Sequence, residues 1–248
     1  MQLDLKSVKK CFEKSMDKYD ENALVQKFMA EQLIKELQLI KTDFNKILEL
    51  GCGTGLLTRE ITNNLIYKNY FANDLSEKSK KYLDKIIKNY NFICGNAQKI
   101  TSNTAYDLII SNAMFQWFNN IDEVLIKYKS FLNTDGILAF TTFSPDNFKE
   151  LRQVSGISLN YKSEIELRDI LSKNYKILAL KTYEKELEFN SPLELLYHMK
   201  NTGVNSLNSS TWTFAQVKDF CKKYSETYTK TKITYTPILV IAKKLNQS

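Results

Sequence analysis

The run Ile47-Leu48-Glu49-Leu50-Gly51-Cys52-Gly53-Thr54-Gly55 sets an apolar strand directly against a glycine loop that opens a helix. Glycines at alternate positions let the backbone take up positive φ and approach a bulky ligand, and Leu56 to Asn64 is then the helix whose N-terminus borders the pocket. The spacing is G-x-G-x-G, whereas the pyrophosphate fingerprint of dinucleotide sites is G-x-G-x-x-G. A second apolar run, Tyr70-Phe71-Ala72-Asn73-Asp74, ends in an acid about twenty residues past the glycines, where such folds set a carboxylate on ribose hydroxyls. Together the two motifs predict an adenosine pocket.

The rest of the chain supplies the frame. Val8, Cys11, Phe12, Ser15, Met16 and Tyr19 repeat at helical spacing, as do Leu24, Phe28, Met29, Leu33, Ile34 and Leu37, so two helices precede the first strand. Strands are expected at Lys46 to Leu50, Tyr70 to Asn73, Asn91 to Cys94, Tyr106 to Ser111 and Ile137 to Phe143. Helices are expected at Ser76 to Asn89 and Asp122 to Phe131, with Ser76 and Asp122 as caps. Alternating strands and helices imply an α/β fold: a parallel, Rossmann-like sheet with helices on both faces and a ligand at the strands' C-terminal edge. After Phe143 a Ser-Pro turn and a short helix are expected between Ser144 and Asn160, then a strand at Tyr175 to Glu186. Helices at Pro192 to Thr202 and Thr213 to Tyr224 interrupt the sheet before a closing strand at Lys232 to Lys243, an insertion suited to a lid.

At 248 residues the chain fits one enlarged domain, 1–248. Its expected parts are N-terminal helices at 1–41, a cofactor-binding core at 42–143, a substrate-side segment and helical lid at 144–231, and a closing strand at 232–248. No apolar run approaches the ~20 residues that span a bilayer, and the N-terminus lacks the layout of a secretory signal, so a soluble, cytoplasmic protein is expected. Cys11, Cys52, Cys94 and Cys221 are too dispersed for a C-x-x-C site, and His198 is the single histidine, so no metal site is expected. The formal net charge of +7 suits an acidic partner and equally a general bias toward lysine. Arginine occurs only at Arg59, Arg152 and Arg168, which weighs against a nucleic-acid reader.

Several segments narrow the reading further. They are Phe12 with Tyr19-Asp20 and Gln26, the glycine loop, Asn73-Asp74-Leu75-Ser76, and Asn112-Ala113-Met114-Phe115-Gln116-Trp117-Phe118. Phe140-Thr141-Thr142-Phe143 leading to Glu150-Leu151, and His198-Met199-Lys200-Asn201-Thr202-Gly203, complete the set. In these the chain resembles the class I S-adenosylmethionine-dependent methyltransferases, and more narrowly the BioC family, which methylates malonyl-acyl carrier protein in biotin synthesis. The glycine loop points to the superfamily; the Asn112 to Trp117 and His198 to Gly203 segments point to the narrower family.

The resemblance implies S-adenosylmethionine as cofactor, held by Tyr19, Glu49, Gly51, Gly53, Gly55, Asp74, Leu75, Asn96, Ala97 and Asn112. Asp74 has two oxygens for the two ribose hydroxyls. Its alternative is a helix cap, a role Ser76 can fill. Glu49 is either near the cofactor's ammonium or a solvated strand-end charge. At Asn96 the family usually has Asp; the amide oxygen can still accept the adenine amine. Gln116 and Trp117 are acceptor-site candidates, with Trp117 as suited to a core as to a substrate wall.

A carboxylate acceptor explains what the sequence lacks. Its pKa of about 4 leaves it ionised at neutral pH, so no general base is needed. Positioning supplies the rate, up to about 7–11 kcal/mol. The chain has no Asn-Pro-Pro-Tyr and no Pro-Cys setting, the signatures for methylating exocyclic amines and cytosine. Arg152 is the candidate clamp for the malonyl carboxylate, or else a solvated helix residue. His198 is expected to pack or hydrogen-bond rather than to ionise. The acceptor is malonyl-acyl carrier protein or malonyl-CoA, and Lys200, Lys222 and Lys223 are candidates for docking an acidic carrier. Another small carboxylate as acceptor, or a non-catalytic cofactor-binding subunit, are the alternatives.

Overall fold

The computed structural model describes residues 5–156, 160–202 and 212–246; Gly203 and part of the expected Ser144 to Asn160 segment lie outside them. Two helices, α1 (Leu5–Asn22) and α2 (Leu24–Gln38), lead into β1 (Asp43–Leu50), α3 (Leu56–Asn64) and β2 (Ile66–Asp74). A short α4 (Lys80–Leu83), β3 (Asn91–Cys94), β4 (Tyr106–Ser111), α5 (Ile121–Phe131) and β5 (Leu132–Phe143) follow. The second half runs α6 (Lys149–Ser155), α7 (Glu164–Ser172), β6 (Tyr175–Thr182), β7 (Lys185–Phe189), α8 (Pro192–Asn201), α9 (Phe214–Thr227), β8 (Thr231–Tyr235) and β9 (Pro237–Lys244).

Seven strands form one sheet in the order β3-β2-β1-β4-β5-β9-β6. The first five are parallel, and β9 runs antiparallel to both β5 and β6. One apolar face packs on α2 and α3 through residues such as Leu33, Ile47 and Ile61; the other packs on α5 and α7 through Leu48, Leu125 and Leu167. The order reverses between β1 and β4, and a crevice opens there at the strands' C-terminal ends, the place such sheets bind ligands. A third cluster, including Leu195, Phe220, Ile233 and Tyr235, joins α8 and α9 to a separate ribbon of β7 and β8.

The strands β1, β2 and β5 begin earlier than hydrophobicity alone predicts. Their first residues, among them Asp43, Lys68 and Asp135, extend the strands while exposing polar side chains. The expected helix from Ser76 to Asn89 contracts to a 3-10 turn and α4. The amides of both Ile86 and Ile87 bond the Leu83 carbonyl, tightening the chain into a turn. Ser76 does cap that turn, accepting the Lys78 amide. The cap of α5 is Asn120 rather than Asp122, which stands in the first turn.

Two expected single strands are each divided. Tyr175 to Glu186 splits into β6, which belongs to the main sheet, and β7, which belongs to the ribbon. The closing strand likewise breaks between β8 and β9, because Pro237 has no N–H to continue a ladder and the Thr236 amide turns to Asn147 Oδ1 at 3.0 Å. Helix α7 was not anticipated; its sequence signal is the Ser163-x-x-Glu166 capping box.

Candidate functional site

The crevice is one cavity with two ends. At the first end the glycine loop follows β1. Gly51 and Gly53 have φ of 67° and 55° and line the cavity, and a Cβ there would come within 2.8 Å of Met114 and 3.0 Å of Phe12. Both neighbours are themselves cavity walls. Gly55 differs. At φ 83° it caps α3 and turns away from the cavity, and a Cβ would stand 2.3 Å from Ile86 Cδ1. Close packing against the turn after α4 explains this glycine, which lies outside the cavity lining although cofactor binding was expected of it.

Asp74 ends β2, 6% exposed, with Oδ2 accepting the Gly53 amide at 2.9 Å and Oδ1 accepting the Ser76 amide at 2.8 Å. Burial raises its pKa against the opposing pull of these bonds. Each oxygen takes one backbone bond and an oxygen of a carboxylate can accept a second, and Asp74 lines the cavity. Leu75, Asn96 and Ala97 continue this wall. Asn96 Oδ1 accepts the Gln98 amide at 2.9 Å, so part of the capacity expected to meet adenine is spent within the loop.

Glu49 is placed differently from either expectation. It is 1% exposed, outside the cavity lining, with Oε2 accepting from the Tyr70 hydroxyl at 2.5 Å and from the Thr58 hydroxyl at 2.7 Å. Burial pushes its pKa up to about 7. Strand alternation explains the outcome: Glu49 shares the face of Ile47, under α3, and braces the helix from behind the loop.

Helix α1 covers this end. Phe12 and Tyr19 line the cavity and meet edge to face at 5.1 Å. One face carries Glu13, Asp17 and Asp20 against the core loops. Ser76 donates to Glu13 at 2.6 Å, Tyr82 to Asp17 at 2.5 Å and Thr54 to Asp20 at 2.5 Å, while Lys78 and Arg59 pair with Glu13 and Asp20 at 3.0 Å each. The exposed ion pairs contribute little singly.

Asn112 stands between the two ends. Its Nδ2 donates to the Gln26 carbonyl at 2.9 Å and its Oδ1 accepts from Thr141 at 2.6 Å, fixing α2 against β4 and β5. Two amide oxygens in the lining, Gln26 Oε1 and Gln116 Oε1, are buried without a partner among the described residues. Unpaired buried acceptors of this kind suit a ligand bearing N–H donors, as the amino group of S-adenosylmethionine does. With the glycine loop and Asp74, they make the cavity a fitting one for that cofactor, which when bound supplies an electrophilic methyl group.

The second end is aromatic: Phe143, Phe148, Tyr161 and Tyr235 line it, with Thr202 and the acceptor candidates Gln116 and Trp117. Gln116 Nε2 donates to the Ala113 carbonyl at 2.6 Å. Ala113 and Phe148 hold φ of 51° and 59°, a left-handed conformation unusual for residues with side chains. His198 is buried and holds Tyr235 at 2.8 Å through Nε2, and burial lowers its pKa to about 4, so it is neutral at pH 7. Arg152 is not brought in. Its guanidinium donates to the Pro145 carbonyl and lies outside the cavity lining, because α6 leaves that side chain bent back on its own entry turn. Tyr161 and Tyr235 escaped the sequence reading. A Pro after the Tyr235-Thr236 pair marks a strand break and nothing more, and Tyr161 precedes α7 with no periodicity to mark it.

Comparison with known proteins agrees with this geometry. A family described as a methyltransferase domain matches residues 48–140, the span from the end of β1 through most of β5. The chain is 36% identical over 236 residues to the malonyl-[acyl-carrier protein] O-methyltransferase of Calditerrivibrio nitroreducens, covering 94% of each. It is 32% identical to the enzyme of the same name from Haemophilus influenzae, covering 97% of this chain and 95% of the relative. Among solved structures, the plantazolicin methyltransferase BpumL in complex with SAH aligns with a TM-score of 0.55 at 16% identity, covering 94% and 90% of the two chains. The N-methyltransferase NodS from Bradyrhizobium japonicum, in complex with S-adenosyl-L-homocysteine, aligns at 0.54 and 11% identity over 88% and 86%. These structural likenesses show the fold. The chain belongs to the malonyl-[acyl-carrier protein] O-methyltransferase family, on a class I Rossmann-like methyltransferase fold.

Proposed function

We propose that this protein transfers the methyl group of S-adenosylmethionine to the free carboxyl of a malonyl thioester on acyl carrier protein, in the cytoplasm, as a step of biotin synthesis. The observation that carries the reading is full-length similarity to relatives of that name, joined to a cavity whose described lining residues at the aromatic end include no histidine, lysine or cysteine. An ionised carboxylate needs no base; it needs orientation and exclusion of water.

In this reading Asp74 takes the ribose hydroxyls, and Leu75, Asn96 and Ala97 flank the adenine. Tyr19, Gly51, Gln26 and Asn112 surround the methionine portion. Gln116 and Trp117 face the acceptor. Methylation cancels the charge of the carboxylate, so that the product presents an apolar ester to enzymes that elongate acyl chains. Support for a carrier-bound acceptor comes from Lys200, exposed near the end of α8 and two residues before Thr202 of the lining. Lys222 and Lys223, the other docking candidates, lie on α9 paired with Glu226 and Asp219 at 3.8 Å and 2.8 Å. Their charge is already answered on their own helix.

The test is mass spectrometry of purified protein with methyl-labelled cofactor and malonyl carrier protein. A labelled methyl on the malonyl group is the expected result. No transfer to malonyl carrier protein, with transfer to a small free carboxylic acid, would overturn the carrier reading.

A further inference from the structure

Among the described residues the acceptor end holds no cation. Among the described lining residues the only ionisable side chains of full charge are Lys9 and Asp74. Lys9 belongs to the other end, 4.0 Å from Glu13, which in turn holds Ser76 of the ribose wall. With Arg152 bonded to Pro145, a carboxylate at the aromatic end must be held by neutral donors.

The hydroxyls there can be sorted by what their protons already do. Thr202 Oγ1 donates within its own helix, to the His198 carbonyl at 3.0 Å. The Tyr235 hydroxyl lies 2.8 Å from His198 Nε2 and also bonds the Thr202 side chain, so protein groups already surround it. Gln116 spends its amide on Ala113. Tyr161 is different: its oxygen accepts from Asn147 Nδ2 at 3.2 Å, so its own proton stays available. Asn147 is fully buried and fixed at its other end, where Oδ1 accepts the Thr236 amide at 3.0 Å. Its amide bonds Ser144 and that of Phe148 bonds Thr234, and Phe148 takes its left-handed turn here. A strained, fully bonded turn therefore sets the Tyr161 ring, 8% exposed, against Phe143 in the wall.

We propose that the Tyr161 hydroxyl is the donor that binds and orients the acceptor carboxylate, with Asn147 as its positioning residue. The inference rests on the proposed function and names the residue that serves it. One carboxylate oxygen accepts the Tyr161 O–H. The other keeps its lone pairs for in-line attack, undiminished by an ion pair. Phe143 and Phe148 exclude the water that would compete.

The test measures methyl transfer from labelled cofactor to malonyl carrier protein by the full chain and by Tyr161→Phe, with Arg152→Gln as the comparison. Tyr161→Phe is expected to raise KM for the acceptor by about tenfold, while calorimetric affinity for S-adenosylhomocysteine stays level and Arg152→Gln keeps the wild-type KM. Should Tyr161→Phe fail to fold, 3-fluorotyrosine placed at position 161 retains the ring and strengthens the donor, and KM is expected to fall. An unchanged KM in either variant, or an equal rise in Arg152→Gln, would overturn the role of Tyr161 alone. Absence of transfer by the wild-type protein would overturn the malonyl reading itself, and the proposal with it.

Discussion

The Asp74 carboxylate accepts the Gly53 amide at 2.9 Å, so the acid ending β2 and the glycine loop after β1 are one hydrogen-bonded unit before any ligand enters. Asp74→Ala should act twice. It removes the carboxylate offered to the ribose, and it leaves the Gly53 and Ser76 amides without their acceptor at about 1–3 kcal/mol for each buried group left unpaired. Calorimetry should show weaker S-adenosylhomocysteine binding and denaturant unfolding a lower midpoint. Wild-type affinity in the folded variant would remove Asp74 from the cofactor site.

Glu49 makes stability depend on pH. Its folded pKa of about 7 lies above its ordinary 4.5, so across that interval the folded state holds a proton the unfolded state has released. Stability should therefore fall as pH rises from 4.5 to 7, by up to about 1.4 kcal/mol per unit, and level off above. Glu49→Gln keeps an oxygen for Tyr70 and Thr58 and has nothing to titrate. Urea unfolding at a series of pH values should find the variant flatter than wild type across that window, and parallel curves would show Glu49 ionised throughout.

At Gly55 the two kinds of glycine requirement separate. Gly55→Ala meets both a positive φ, at about 1–2 kcal/mol, and the Ile86 side chain at 2.3 Å. Ile86→Ala in the same chain should restore part of the lost stability, leaving the backbone cost. Cofactor affinity measured in the double variant should match wild type. A rescue of nothing would mean that Ile86 is not the obstacle.

Lys200 separates carrier docking from compositional bias. Lys200→Glu should lower kcat/KM for malonyl carrier protein several-fold and leave a neutral-headed malonyl thioester unaffected. The wild-type rate with the carrier should decline as salt shortens the Debye length from about 10 Å at 0.1 M to 3 Å at 1 M. Stopped-time assays across that range decide it; equal salt slopes for both acceptors would assign the +7 charge to composition alone.

The cofactor end was legible because its chemistry is local in sequence. A glycine loop and an acid at the next strand's tip keep their roles in any frame that holds β1 beside β2. That Glu49 and Gly55 stand outside the cavity lining was not legible, since a motif gives residue types and not the strand face or the helix-cap packing on which they fall. The aromatic end was barely legible. Tyr161, Phe148 and Tyr235 come from separate elements and meet only after β8 and β9 divide at Pro237, an event that a continuous apolar stretch conceals.

The position of β9 has a consequence for the order of assembly. It lies inside the sheet, pairing residues as distant as Ile137 and Lys243, and β6 has no other partner in the sheet. Strands β3, β2, β1, β4 and β5 can collapse early through nearby crossovers, yet β5 keeps an unpaired edge until β9 arrives. Because β8 leads directly into β9, the wall carrying Tyr235 is set by the same late event. The nucleotide half of the cavity thus rests on strands joined by nearby crossovers, whereas the acceptor half depends on the long-range pairing of β9.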